Sequence, residues 1–118
     1  MVSKLENKQL NRQDIEELSR LSKLLNLKYT VNSKEELKTI IKYMLSNLKD
    51  LTPDLNWIDT SRITDMSDLF TELYFNGDIS EWDVSNVESM YNMFAGSNFN
   101  GDISEWDVSK VKDMRYMF

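Results

Sequence analysis

An eleven-residue string, FNGDISEWDVS, occurs twice in this chain, at residues 75–85 and again, letter for letter, at residues 99–109. The two copies are 24 residues apart, and Met90/Met114 and Phe94/Phe118 keep the same offset. A copied string at a fixed period is typical of folds in which similar segments stack on one another. This repeat constrains the fold more than any other feature of the sequence.

Three stretches share the period: segment 1 (residues 55–70), segment 2 (75–94) and segment 3 (99–118). Segment 1 is degenerate, with IDTS at residues 58–61 where the others have WDVS. Burying the eight apolar side chains of segment 2 contributes roughly 16–24 kcal/mol. Ordering one 24-residue unit costs on the order of 36 kcal/mol, so we expect each segment to need its neighbours. The eight side chains predicted to form the core are Phe75, Ile79, Trp82, Val84, Val87, Met90, Met93 and Phe94.

Each segment also has a local pattern. Asn76-Gly77 predicts a turn with positive φ, and Ile79 to Val84 fit a short extended stretch. Ser85 is placed to cap a helix or 3₁₀ segment of about two turns, which Gly96 would end.

The amino-terminal half reads as two helices. Apolar residues recur every three to four positions over residues 11–27, with Asn11 as the cap. Ser33 and Glu36 form a capping-box pattern at the start of a second amphipathic stretch that is predicted to end near Asp50, before Pro53.

The chain has no cysteine and no histidine. Most metal sites and the usual neutral-pH acid–base catalysts need one or the other. We therefore expect no enzyme and no catalytic, cofactor-binding or metal-binding residues. The first residues lack a signal-peptide core and no stretch is apolar enough to span a membrane, so we also expect a soluble, cytoplasmic protein without membrane contacts.

Charge is unevenly distributed. Residues 1–50 hold ten Lys/Arg and seven Asp/Glu, a net of +3, whereas residues 51–118 hold four and thirteen, a net of −9. Acid at this density repels nucleic acid and favours partners with a basic surface.

The repeats FNGDISEWDVSNVESMYNMF and FNGDISEWDVSKVKDMRYMF resemble those of bacterial BspA-like leucine-rich-repeat proteins, which include mycoplasma surface lipoproteins. IDTSRITDMSDLF is similar to the first unit of such arrays, and YTVNSKEELKTIIKYML to the helical segment that precedes them, so the resemblance covers residues 29–118. It implies a right-handed leucine-rich-repeat-like solenoid with roles in binding or adhesion and no catalytic residues. Surface members carry a secretion signal and longer arrays, which this sequence does not show.

These observations together predict an α+β repeat fold, in which two amino-terminal helices cap a short leucine-rich-repeat-like solenoid. Residues 1–54 would form the helical cap and residues 55–118 the three repeats, within one folding unit.

Two sets of residues are candidates for partner binding. Asp78 and Asp102, like Glu81 and Glu105, recur at the 24-residue period and would line up as an acidic ladder. The ladder is either a binding stripe for a basic partner or a set of turn-forming and solvated carboxylates. The second set is Tyr91, Arg115 and Tyr116, interface-type residues at positions that differ between segments.

Apolar residues at the end of segment 3, Met117 and Phe118, predict a homodimer through that face. The leading functional hypothesis is a non-catalytic protein-interaction module that uses the acidic repeat surface. The alternatives are a small acidic inhibitor of a nucleic-acid enzyme, for example a phage-derived anti-defence protein, and a fragment of a surface adhesin.

Overall fold

The structure, a computed structural model, describes residues 10–46 and 52–118. It contains helix α1 (Arg12–Leu25), strand β1 (Tyr29–Thr30), helix α2 (Lys34–Ser46) and strand β2 (Ile58–Asp59). The two strands pair in parallel, with Tyr29 opposite Ile58 and Thr30 opposite Asp59. This small sheet connects the helical part of the chain to segment 1.

Helix α1 begins after Asn11, as the sequence predicts. Asn11 and Asp14 form a capping box, in which the Asp14 N–H donates to Asn11 Oδ1 at 2.9 Å and the Asn11 N–H donates to Asp14 Oδ2 at 3.1 Å. The helix ends two residues before the predicted Leu27, because Asn26 adopts a left-handed φ of 53°.

Helix α2 begins after Ser33, whose hydroxyl accepts the Glu36 N–H at 3.1 Å. The return half of the predicted capping box differs, because the Glu36 carboxylate accepts the N–H of Asn32 at 2.8 Å instead of that of Ser33. The apolar face is confirmed over the described part of the helix, where Leu37, Ile40 and Ile41 are buried. The predicted end near Asp50 lies outside the described residues.

The predicted fold class, an α+β repeat with a leucine-rich-repeat-like solenoid, is wrong. The described residues form two helices and one two-stranded parallel sheet, to which segments 2 and 3 add no strand. Other bridges in the described chain are single residue pairs, namely Asp54 with Asp78, Asp65 with Ser89, and Ser89 with Asp113. The regular strand that each leucine-rich repeat would supply is therefore missing from segments 2 and 3.

The helix predicted after Ser85 is also absent, and the chain there forms turns. Asn92 has a left-handed φ of 60°, which interrupts a right-handed helix. Asp68 and Tyr116, each 24 residues away, have φ of 60° and 55°. Ser85 instead donates its N–H and its hydroxyl to the carboxylate of Asp83, at 3.0 Å and 2.6 Å.

Neighbouring segments contact one another through backbone hydrogen bonds and aromatic rings. The N–H groups of Met66, Asp68 and Phe70 donate to the carbonyls of Ser89, Tyr91 and Met93, at 2.9, 3.0 and 2.9 Å respectively. The Phe94 ring lies between Phe70 and Phe118, with centroid distances of 5.5 Å and 5.3 Å and nearly parallel planes. These contacts hold the segments side by side without regular strands or helices.

The predicted core of segment 2 is confirmed, because all eight of its apolar side chains are buried. Trp82 and Trp106 are only 3% and 9% exposed, and their indole N–H groups donate to the carbonyls of Leu55 and Ile79 at 2.9 Å and 3.1 Å. A buried tryptophan N–H usually has such an acceptor. The Met and Phe side chains of segment 2 are core residues, as expected.

The Asn76-Gly77 turn does not have the positive φ that the sequence predicts. Among the glycines of the described residues, Gly96 alone has a left-handed backbone, with a φ of 71°. Gly77 is required for space. A Cβ at this position would lie 2.0 Å from the carbonyl oxygen of Pro53, which also accepts the Asp78 N–H at 3.0 Å. The glycine therefore permits close contact between two parts of the backbone.

Candidate partner-binding surface

Most aspartates in the segments, together with Asp54 just before segment 1, are turn-forming residues. In segment 2, Asp78 Oδ1 accepts the N–H of Ser80 at 3.0 Å and its hydroxyl at 2.7 Å. In segment 3, Asp102 Oδ1 accepts the N–H of Ser104 at 2.9 Å. The same bond to the residue two positions on is made by Asp54, Asp59, Asp65, Asp83, Asp107 and Asp113. This is the Asx-turn geometry that was one of the two predicted roles for these carboxylates.

Hydrogen bonds in these turns also keep the exposed carboxylates charged. The Ser80 hydroxyl, followed by the Ser80 N–H, lowers the pKa of Asp78 below its ordinary value. The Ser104 hydroxyl lowers the pKa of Asp102 in the same way, while the nearby charge of Asp78 acts in the opposite direction. Both carboxylates are therefore ionised at neutral pH. The two turns lie next to each other, since the Asn100 N–H donates to Asn76 Oδ1 at 2.8 Å.

The two glutamates of the ladder differ in their contacts. Glu81 is anchored through its backbone, whose N–H donates to the side-chain oxygen of Asn56 at 2.9 Å. Its carboxylate lies 3.7 Å from Lys28 Nζ, and both side chains are largely exposed. Glu105 is exposed and makes no ion pair within the described residues. A pair as exposed as Glu81–Lys28 leaves the glutamate available to another cation.

The structure brings together the other three candidate residues, Tyr91, Arg115 and Tyr116. The Tyr91 and Tyr116 rings meet edge to face with centroids 5.9 Å apart, and the Arg115 guanidinium lies 5.4 Å from the Tyr91 ring centroid. Arg115 also donates twice to Asp113, at 3.0 Å each, which fixes its orientation. Residues from two segments therefore form one aromatic and cationic cluster on the surface.

The two residues proposed for self-association are placed differently. Met117 is half-buried, and its carbonyl accepts the Phe94 N–H at 2.7 Å. Phe118 is 71% exposed and covers one face of Phe94. A homodimer through this end stays a prediction.

One apolar surface was not recognised as a candidate from the sequence. Leu21, Leu24, Leu25 and Leu27, at the carboxyl-terminal end of α1, are all exposed. The helical stripe was visible in the sequence, but periodicity alone does not say how much of a stripe is covered by the rest of the chain.

Within the described parts of the chain, no group of three or more carboxylates could hold a metal ion. Over residues 10–46 and 52–118, neither helix has the length and apolar character that crossing a membrane requires.

A family model described as "Mycoplasma protein of unknown function, DUF285" matches residues 39–118. No curated protein and no solved structure matches the chain. The similarity to BspA-like repeats stays a prediction beside this match. The match covers segments 1 to 3 and most of α2, well over half of the sequence. The chain therefore belongs to the DUF285 family.

Proposed function

We propose that this chain is a non-catalytic protein-interaction module, whose acidic surface binds a partner protein with a basic surface. The acidic surface consists of Asp78, Glu81, Asp102 and Glu105. The proposal depends mainly on the arrangement of the turns that carry Asp78 and Asp102, which lie side by side, joined by the hydrogen bond from the Asn100 N–H to Asn76 Oδ1 at 2.8 Å, with both carboxylates exposed. A cationic partner would pair with these negative charges, and complementary charge also increases the rate of association.

The cluster of Tyr91, Arg115 and Tyr116 supports a protein partner in particular. Tyrosine and arginine are enriched among the residues that dominate protein–protein binding energy. Tyr116 is 69% exposed, and Arg115 is held by Asp113, so the cluster is accessible and partly ordered before a partner arrives. Such a cluster would add apolar contact to the electrostatic attraction of the acidic surface.

The glutamates allow a test that spares the fold, because the aspartates hold turns and the glutamate carboxylates do not. The test compares the wild type with Glu81→Gln/Glu105→Gln and with the control Glu35→Gln/Glu72→Gln. Both variants remove two exposed negative charges, but only the first removes them from the acidic surface. Each protein would be immobilised and used to capture proteins from the organism that makes the chain, with quantitative mass spectrometry at low and high salt.

We expect a basic protein that is retained by the wild type and the control and lost with Glu81→Gln/Glu105→Gln and at high salt. Equal capture of the same proteins by all three forms would contradict the proposal. The inhibitor and adhesin hypotheses differ in what is captured. The first requires a nuclease or polymerase whose activity falls on binding, and the second requires an extracellular ligand.

A further inference from the structure

The dipeptide Asn-Gly occurs twice in this chain, at residues 76–77 and 100–101, each time within the copied string FNGDISEWDVS. Asparagine followed by glycine is prone to spontaneous loss of the side-chain amide. Glycine has no Cβ, so its backbone nitrogen can approach the side-chain carbonyl carbon of the asparagine before it. Because the sequence around the two copies is the same, a difference in their reactivity would come from the fold.

The structure holds the first copy in place. Asn76 Oδ1 accepts the Asn100 N–H at 2.8 Å, which directs the Asn76 amide toward segment 3. Gly77 is buried, and a Cβ added to it would lie 2.0 Å from the Pro53 carbonyl oxygen. That same oxygen accepts the N–H of Asp78 at 3.0 Å. The Asn76-Gly77 peptide therefore cannot move without breaking these contacts.

The second copy has fewer contacts. Asn100 and Gly101 are both exposed. In the part of the chain that the structure describes, the Asn100 side chain makes no hydrogen bond. Among the same residues, the Asp102 N–H has no backbone acceptor, unlike its equivalent in segment 2. The Asn100 amide can therefore turn toward the Gly101 nitrogen without breaking a hydrogen bond of its own.

We propose that Asn100 is a site of spontaneous deamidation and that the fold protects Asn76 from the same reaction. The Gly101 nitrogen attacks Asn100 Cγ, the N–Cγ bond forms and the Cγ–Nδ2 bond breaks. The side-chain nitrogen leaves as ammonia and takes the proton of the Gly101 N–H. Water then opens the cyclic imide at one of its two C–N bonds and gives aspartate or isoaspartate. Either product adds a negative charge two residues from Asp102 of the acidic surface.

The experiment measures both sites in one sample of the full chain. Folded protein would be incubated at mildly alkaline pH and cleaved after glutamate. Mass spectrometry would then follow peptides 73–81 and 89–105, which contain Asn76 and Asn100 respectively. A parallel sample in urea is the matched control, because unfolding removes the contacts of both sites and keeps the sequence around them. The variant Asn100→Gln verifies the assignment, since the second peptide also contains other asparagines.

We expect Asn100 to deamidate at least about fivefold faster than Asn76 in the folded chain, because a hydrogen bond must break before the Asn76 amide can react. In urea the two rates should be equal. Equal rates in the folded chain would overturn the proposal, as would a faster reaction at Asn76 or the same rate ratio in urea. It would also be overturned if folded protein did not react at Asn100 under conditions that modify the unfolded chain. A mass increase that persists in peptide 89–105 of Asn100→Gln would place the reaction at another asparagine, and would overturn it too.

Discussion

Asn92 has a backbone conformation that most residues avoid. Its φ of 60° is left-handed, and its side chain donates from Nδ2 to Asp68 Oδ1 at 2.7 Å, while Asp68 itself has the same φ. Asparagine and aspartate tolerate this region better than other non-glycine residues. Two left-handed residues in neighbouring segments are thus joined by a side-chain hydrogen bond.

Replacing Asn92 should separate the cost of backbone strain from the loss of this hydrogen bond. Asn92→Gly loses the bond but keeps the conformation accessible, whereas Asn92→Ala loses both. We expect Asn92→Ala to be less stable than Asn92→Gly by about 1 kcal/mol, measured as the free energy of unfolding in urea. Asn98→Ala is the control, since Asn98 is exposed and its φ is not positive, and it should change stability by less than about 0.5 kcal/mol. Equal stabilities of the two Asn92 variants would refute this account.

The Asp78–Ser80 turn makes part of the stability depend on pH. The Ser80 hydroxyl, as the largest cause, lowers the pKa of Asp78 in the folded chain. Since the folded pKa lies below the unfolded value of about 3.9, the contribution is complete above that value. It is lost as the pH falls through the folded pKa.

We expect Ser80→Ala to raise the pKa of Asp78 toward its ordinary value and to reduce its contribution to stability above about pH 4. Carboxyl carbon shifts followed by NMR through an acid titration would measure the pKa of Asp78 directly. Ser97→Ala is the matched control, because the Ser97 hydroxyl accepts the Phe99 N–H and touches no aspartate. An Asp78 titration that is identical in both variants would rule out the serine hydroxyl as the cause.

At the scale of elements, the sequence predicts what depends on neighbouring residues along the chain. Helices α1 and α2 were predicted because their caps and apolar stripes are local patterns. The stretch after Ser85 has the same local signals, yet it forms turns, because Asn92 donates its N–H to Arg115 of segment 3 at 3.0 Å. Contacts between segments thus override a helical pattern, and the fold class predicted from that pattern was wrong.

The candidate surface shows the same limit of prediction from local sequence patterns. The period placed Asp78 and Asp102 at equivalent positions, and the structure places their turns side by side. The contact of Tyr91 with Arg115 and Tyr116 was not predicted, because it depends on how two neighbouring segments lie against each other. Spacing along a sequence identifies equivalent residues, but it does not give side-chain contacts.

The contact between Gly77 and Pro53 is another contact that the local sequence pattern does not predict. A Cβ at Gly77 would overlap the Pro53 carbonyl oxygen, which belongs to the backbone and cannot rotate away. We expect Gly77→Ala to destabilise the chain by about 1–3 kcal/mol in urea unfolding. At Gly101, a Cβ would lie 2.6 Å from the Phe99 ring, as one at Gly77 would from the Phe75 ring, but the nearest backbone atom, the Gly77 carbonyl oxygen, would be 3.3 Å away. Gly101→Ala should therefore cost less, and a larger effect there than at Gly77 would contradict this explanation.

In the molecule as a whole, burial decreases from segment 1 to segment 3. Phe70 is fully buried, Phe94 is 2% exposed and Phe118 is 71% exposed, although the three occupy equivalent positions in one stack of rings. Hydrophobic stabilisation is roughly proportional to the apolar area removed from water. Equivalent residues of this sequence should therefore contribute unequally to the stability of the fold.

The same substitution at two equivalent positions tests this gradient. We expect Phe94→Ala to lower the free energy of unfolding by about 3–5 kcal/mol, the range for a buried phenylalanine. Phe118→Ala should lower it by about 1 kcal/mol or less, because its main contact is one face of Phe94. Both values come from urea unfolding at a protein concentration at which the chain is monomeric, so that self-association adds nothing. If Phe118→Ala proved as destabilising as Phe94→Ala, the Phe118 ring would be as fully buried in solution as the Phe94 ring. That result would contradict the decrease in burial toward segment 3.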